Sequence, residues 1–219
     1  MKDKVIVITG ANGGLGSVLT EMLTSKGAIV VGLNKNEVDI TKEQEVELFA
    51  QKVLQTYGHV DIWINNAGVW LPPERIVEVD MKKVRELFEV NVFGTIHGTR
   101  SSARLMANAG GTIVNIISTT AFDGMNGSSG SFYVASKYAL RGFTNVLREE
   151  LKSDGIKVIG VYPGGFKTEL FKEKVPANFD QFMTAEYVAQ CIVSNLENED
   201  SKQELIIPRP GQTLPDRMV

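Results

Sequence analysis

Apolar residues fall in short unbroken runs separated by longer stretches in which they recur every three or four positions. Val5–Thr9 is the first such run, and Ala28–Leu33, Val60–Asn65, Gly111–Ile117, Ile156–Tyr162 and Glu204–Ile207 follow. Continuous runs, rather than alternation, mark strands buried on both faces. Between them the period shifts to that of a helix. Leu15–Lys26 reads as a helix closed by Gly27, a residue suited to the left-handed C-terminal position. Thr41 reads as the cap of a helix running to about Thr56, with Gln44 three residues on as in a capping box. Val79–Ala107 reads as one long helix ended by Ala109-Gly110-Gly111, and Phe132–Ser153 and Thr184–Leu196 as two more. This rhythm predicts an α/β fold: a Rossmann-like, doubly wound, mostly parallel sheet of about 6–7 strands with helices on both faces.

One interval breaks the rhythm. Leu33 ends the second strand and Val38-Asp39-Ile40 is the next apolar piece, with only Asn34–Glu37 between. A parallel crossover needs about a dozen residues, so the helix between strands 2 and 3 is missing. Val38–Ile40 is expected to be a stub at the sheet edge leading into the Thr41 helix.

The chain has 219 residues, 43% of them apolar, and a net charge of -3, which suits a single domain over residues 1–219. Without a basic run, neither nucleic acid nor an anionic membrane is an expected partner. No apolar stretch approaches the ~20 residues of a bilayer span, and the apolar run after Met1-Lys2-Asp3-Lys4 is too short for a signal-peptide core. A single cysteine, Cys191, excludes an internal disulfide and reads as a small apolar helix residue. A cytoplasmic location is the simplest expectation. His59 and His97 are isolated and in no metal-binding spacing, so no metal is expected.

Chemistry enters at Thr9-Gly10-Ala11-Asn12-Gly13-Gly14-Leu15-Gly16, between the first strand and the first helix. Gly10 permits a tight turn, Gly14 lets backbone approach a pyrophosphate, and Gly16 lets the helix lie against the strand. The helix N-terminus offers free N–H groups and partial positive charge to phosphates. The spacing is G-x-x-x-G-x-G rather than G-x-G-x-x-G. A hundred residues later, Tyr133 and Lys137 stand four apart, on one face of a helix. A tyrosine is a weak acid with pKa ~10, and a nearby ammonium is expected to favour its phenolate. Tyr133 could then exchange a proton with a carbonyl or alcohol oxygen. Ser118 follows the strand Gly111–Ile117 at its carboxyl end, where ligands meet open α/β sheets.

In order along the chain stand Thr9-Gly10-x-x-x-Gly14-x-Gly16, Asn65-Asn66-Ala67-Gly68, Asn91, Ser118, Tyr133-x-x-x-Lys137, and Pro163-Gly164 followed by Thr168. This set resembles the short-chain dehydrogenase/reductase family, in its single-domain form with a shortened segment after the second strand. The resemblance covers roughly residues 4 to 170. It implies an NAD(P)(H)-dependent oxidoreductase that moves a hydride between nicotinamide and a ketone, aldehyde or alcohol. It assigns Asn91, Ser118, Tyr133 and Lys137 to catalysis: Tyr133 as acid and base, Ser118 holding the substrate oxygen, Lys137 also bonding the nicotinamide ribose, and Asn91 holding a water that relays protons to Lys137. Ser118 lies fifteen residues before Tyr133, slightly more than the family's usual spacing, with the extra length in Gly124–Ser131 and Thr119 as a rival for its role. The cofactor site would comprise Gly10, Asn12, Gly13, Gly14, Leu15, Gly16, Asn34, Lys35, Asp39, Ile40, Asn66, Ala67, Gly68, Tyr133, Lys137, Pro163, Gly164 and Thr168. Asp39-Ile40 matches the family's adenine-lining pair. By the same resemblance, the helices at Val79–Ala107 and Phe132–Ser153 would form the face of a homodimer or homotetramer.

An NAD site usually carries an acid near the end of the second strand. Here that place reads Gly32-Leu33-Asn34-Lys35, with no carboxylate to repel a 2′-phosphate and Lys35 to pair with one. NADP(H) is therefore favoured over NAD(H), although Gly13 stands where NADP(H)-preferring relatives often carry a basic residue. Trp70, Leu71, Phe122, Phe166 and Phe171 lie in loops after strand ends and are expected to frame an apolar pocket, with a short substrate-loop region at about 166–182. With few charges nearby apart from Lys167 and Asp123, a neutral, modestly sized carbonyl or alcohol is the expected substrate. Competing readings are a non-catalytic dinucleotide-sensing regulator, a dihydropteridine-reductase-like activity, and an extended sugar-nucleotide enzyme; the last needs a larger carboxyl-terminal region than the roughly fifty residues after Pro163.

Overall fold

The computed structural model describes residues 1–122, 130–176 and 178–212. The order is β1 (Val5–Thr9), α1 (Gly14–Ser25), β2 (Ile29–Leu33), α2 (Glu43–Tyr57), β3 (Ile62–Asn65), α3 (Met81–Phe88), a π-helical turn (Glu89–Phe93), α4 (Gly94–Met106), β4 (Gly111–Ile116), α5 (Ser131–Glu150), β5 (Ile156–Pro163), α6 (Ala185–Glu197) and β6 (Glu204–Ile207). The six described strands form one sheet, β2-β1-β3-β4-β5-β6, with every pairing parallel. Strand alternation divides the core. Ile6 and Ile8 pack with Leu15, Leu19 and Leu23 of α1 and Val188 and Ile192 of α6. Val5 and Val7 face the other way, onto Val46, Ala50 and Val53 of α2, Met106 and Leu147. Burial on both faces is why β1 is an unbroken apolar run up to Thr9.

Three expectations need correction. Val38–Ile40 is not a strand: the Glu37 and Val38 N–H groups both donate to the Asn34 carbonyl at 2.9 Å, closing a turn, and β2 is the sheet edge. Ile40 is apolar because it is buried beside α2, not because it pairs. Thr41 does not cap α2. Its N–H and hydroxyl both donate to Asp39 Oδ1 (3.0 and 2.8 Å), and Glu45, rather than Gln44, reaches back to accept the Asp39 N–H at 2.8 Å. The long helix is interrupted: Asp80 caps α3 through the Lys82 N–H at 2.8 Å, and the π turn at Glu89–Phe93 separates α3 from α4. Such turns often mark functional positions, and this one carries Asn91.

A buried amide network fixes α5, which carries Tyr133 and Lys137. Asn65 Nδ2 donates to Asn115 Oδ1 (2.9 Å) and to Thr99 Oγ1 (3.1 Å), and Trp63 Nε1 donates to Asn65 Oδ1 (2.9 Å). Asn115 Nδ2 then donates to Thr144 Oγ1 of α5 at 3.0 Å. A satisfied polar network in a low-dielectric interior holds its members in one arrangement. It therefore locks α5 against β4, the strand that leads to Ser118.

Candidate active site

The glycine turn is fitted for a phosphate. Gly13 precedes α1 with no capping side chain, so the first N–H groups of the helix are left for a ligand. Gly14 has a positive φ of 41°, and a Cβ there would press on the Thr168 side chain at 3.1 Å. A Cβ on Gly16 would overlap the Gly10 carbonyl. The turn is braced from behind. Thr9 Oγ1 accepts the N–H groups of Asn66 (3.0 Å) and Ala67 (2.9 Å), while Asn66 Nδ2 donates to the carbonyls of Thr9 (2.9 Å) and Gly10 (3.2 Å). The Asn12 N–H donates to Asn34 Oδ1 at 3.0 Å, tying the turn to the end of β2. The sequence reading missed Thr9 as the brace.

Ser118, Tyr133 and Lys137 converge at the carboxyl end of β4. Ser118 is buried, and its Oγ accepts from the Thr120 N–H (3.2 Å) and the Thr120 hydroxyl (3.0 Å). With two bonds accepted, its own proton is free to donate into the cleft, where it stabilises the phenolate form of Tyr133. Lys137 is buried; its Nζ donates to the Ile116 carbonyl at 3.3 Å and lies 5.6 Å from the Tyr133 ring centroid. Burial pushes the Lys137 ammonium down to about 8. Burial also pushes the Tyr133 phenol up to about 12, and the Ser118 hydrogen bond offsets only part of that. The expected lowering of the tyrosine is thus reversed, because desolvation of the phenolate outweighs the Ser118 hydrogen bond. At neutral pH Tyr133 is a protonated phenol, the form that donates.

Asn91 is buried in the π turn and grips the loop after β3: its Oδ1 accepts the Val69 N–H (2.8 Å) and its Nδ2 donates to the Val69 carbonyl (2.9 Å). The same Nδ2 reaches Ser136 Oγ at 3.3 Å, and Ser136 donates to the Tyr133 carbonyl at 2.7 Å. Asn91 is linked in this way to the tyrosine's own helix turn. Ser136 stood between the two motif residues without a role assigned to it.

Asp39 and Ile40 take up different work from each other. Thr41 holds the Asp39 carboxyl below its ordinary value through its N–H and hydroxyl, against a partial desolvation, with the charges of Lys42 and Lys35 assisting. Ile40 is buried, and its carbonyl lies 3.0 Å from His97 Nδ1. The five apolar loop residues do not form one pocket. Trp70 stacks edge-on with Phe171 at 5.0 Å, and Phe171 joins Phe179 and Phe182. Phe122 instead packs on Tyr162 with the Arg141 guanidinium 4.0 Å above it. Leu71 belongs with Val84, Leu87 and Tyr133, and Phe166 packs onto the core between the sheet, α1 and α6. Asp123 and the Gly124–Ser129 part of the expected insertion lie outside the described residues. No described helix is long and apolar enough to cross a membrane.

Comparison with known sequences places the chain in a family. The sequence model of the short chain dehydrogenase family matches residues 35–178, and the chain belongs to that family. It is 29% identical over 230 aligned positions to "Uncharacterized oxidoreductase YxnA" of Bacillus subtilis (strain 168), covering 90% of this chain and 64% of that protein. The chain thus spans under two thirds of that relative's length. Among solved structures, a 3-ketoacyl-(acyl-carrier-protein) reductase from Brucella melitensis, complexed with NADH, superposes with a TM-score of 0.82 at 24% identity, over 94% of this chain and 97% of that one. ElxO with NADP bound superposes at 0.81, also at 24% identity, over 95% and 98%. Both carry the Rossmann-like fold seen here.

Proposed function

We propose that this chain is an NAD(P)(H)-dependent oxidoreductase acting on a neutral ketone, aldehyde or alcohol. The observation that carries the reading is the convergence of Ser118, Tyr133 and Lys137 beside an uncapped glycine-rich helix N-terminus. A nicotinamide dinucleotide would fit that cradle and would supply or accept the hydride. The N–H groups of α1 would hold its pyrophosphate, with Thr168 beside Gly14. The Ser118 proton orients the substrate oxygen. The Tyr133 phenol gives its proton to that oxygen in reduction, and Lys137 holds positive charge beside the phenol as it ionises. Asn91 keeps the loop after β3 and the Tyr133 helix in fixed relation; a water held there would complete a proton path to Lys137. The names of YxnA, of the NADH complex and of the NADP complex agree with this reading.

NADP(H) is the favoured cofactor, because Lys35 is exposed beside the end of β2 and the described turn Asn34–Glu37 brings its charge to bear on Asp39. Loss of reduced-nicotinamide absorbance over a panel of ketones, aldehydes, quinones and pterins tests both points. Turnover is expected, faster with NADPH. Lys35→Glu should lower kcat/KM for NADPH by about tenfold, the scale of one phosphate ion pair, and leave NADH nearly unchanged. Faster NADH turnover would overturn the role of Lys35. Tight cofactor binding without any turnover would favour the sensor reading. The helical faces at 81–106 and 131–150 leave Phe93, Tyr138 and Val146 exposed, which supports assembly through them; light scattering should report a particle larger than one chain, and a monomer would refute it.

A further inference from the structure

The short turn after β6 reaches back across the sheet into the catalytic end. Gln212 Nε2 donates to Thr119 Oγ1 at 2.9 Å, ninety-three residues away in sequence. Its Oε1 accepts the Arg209 N–H at 3.2 Å, and the Gln212 N–H donates to the Arg209 carbonyl at 3.0 Å, so the turn is closed and the side-chain amide is held at both its oxygen and its nitrogen. Thr119 is buried and its hydroxyl lies 3.5 Å from the Pro163 carbonyl. The space a side chain would need at Gly164 is taken by this turn: a Cβ there would lie 2.5 Å from Gln212 Oε1 and 2.8 Å from the Arg209 nitrogen. The Gly164 N–H donates to the Ile207 carbonyl at 2.8 Å. One amide therefore fills the crevice between the residue after Ser118 and the Pro163-Gly164 turn.

We infer that Gln212 is a positioning residue, which sets the Ser118–Thr120 turn against the end of β5 so that the Ser118 hydroxyl meets the oxygen it polarises. The inference rests on the oxidoreductase reading above. Thr119 is thereby accounted for: its hydroxyl is engaged by Gln212 and Pro163 and serves the geometry, leaving Ser118 for the substrate. Without Gln212, Thr119 loses its donor and the turn its outer wall. A misplacement on the order of 1 Å at a reacting group can cost about a hundredfold in rate, and partial loosening of a turn still anchored by β4 should cost less.

The test compares wild type with Gln212→Ala, Thr119→Val and the double variant, on whichever panel carbonyl the wild type turns over. Gln212→Ala is expected to lower kcat about tenfold, with substrate KM and cofactor affinity changed less than about threefold. Thr119→Val should do the same, and the double variant should lose clearly less than the product of the two single losses, because both break the contact they share. In the alcohol-oxidising direction, where the phenolate is the active form, loss of the Ser118 bond should move the rising limb of kcat to higher pH. Hydrogen exchange of the 117–122 segment, read without substrate, should quicken in Gln212→Ala while the α1 and α5 amides stay protected. Unchanged kcat with unchanged exchange, or additive losses in the double variant, would overturn the inference. An inactive wild type would overturn the oxidoreductase reading instead, and the exchange result would still decide whether Gln212 holds the Ser118 turn.

Discussion

Tyr133→Phe should lower kcat for carbonyl reduction by about 10²- to 10⁴-fold, the usual contribution of a positioned general acid. The substitution removes one oxygen and keeps the ring, which packs beside Leu71, Val84 and Leu87. Cofactor affinity should stay close to that of the wild type, since the glycine turn, Thr9 and Asn66 are untouched. The phenol is pushed up to about 12, so at neutral pH the wild-type residue is fully protonated and reduction is the favoured sense of proton transfer. Reduction should therefore show no tyrosine-dependent loss until strongly alkaline pH, whereas oxidation should climb with pH as the phenolate forms. Stopped-flow turnover and cofactor fluorescence titration check both halves. A variant retaining a third or more of kcat would remove Tyr133 from the proposed chemistry.

Lys137→Met should abolish most activity and yet stabilise the chain free of ligand. Lys137 is buried, and its folded value of about 8 lies below the ordinary 10.5. Between those values the unfolded chain keeps a proton that the folded chain has lost, so stability rises with pH across roughly pH 8 to 10.5. Below pH 8 the folded chain carries a desolvated ammonium at a cost of about 3 kcal/mol. The variant gives up the bond to the Ile116 carbonyl, worth about 1 kcal/mol, which leaves a net gain of about 2 kcal/mol at pH 7. Tyr133 contributes the opposite slope between about pH 10 and 12, because its folded value is raised above its ordinary 10. Denaturant melts at several pH values should show the rise over pH 8 to 10.5 in wild type and its absence in the variant. A less stable variant at pH 7 would mean that the lysine is not buried against its charge. Such a trade, stability given up at a functional site, is common in enzymes.

The sheet and its flanking helices were legible because the central strands are buried on both faces and each helix on one, and these two burial patterns write different periods. The glycine turn, Ser118, Tyr133 and Lys137 were legible for a related reason: a phosphate cradle and a helix-face dyad need particular residue types at fixed spacings. What packing decides was hidden. Val38 and Ile40 look like strand residues, but their side chains fill a space beside α2 left by the shortened connection. The π turn keeps helical spacing on either side; its trace in the sequence is an asparagine, Asn91, at an interior position that helices disfavour. Phe122 and Phe171 are alike in sequence context, yet one packs on Tyr162 and the other on Trp70. The tyrosine's acidity depends on how much water its phenolate would lose, which no spacing records. Gln212 lies in a tail with no periodicity, ninety-three residues from the hydroxyl it holds.

The central claim is hydride transfer between a nicotinamide and a carbonyl carbon at the Tyr133 site. NADPH carrying deuterium at the reacting carbon, incubated with the enzyme and the carbonyl panel, tests it by mass spectrometry of the products. The account predicts an alcohol product one mass unit heavier than that made with ordinary NADPH, formed by Tyr133→Phe about a hundredfold or more slowly than by wild type. Cofactor bound at the glycine turn with no deuterium in any product, or equal initial rates of labelling by both proteins, would contradict it.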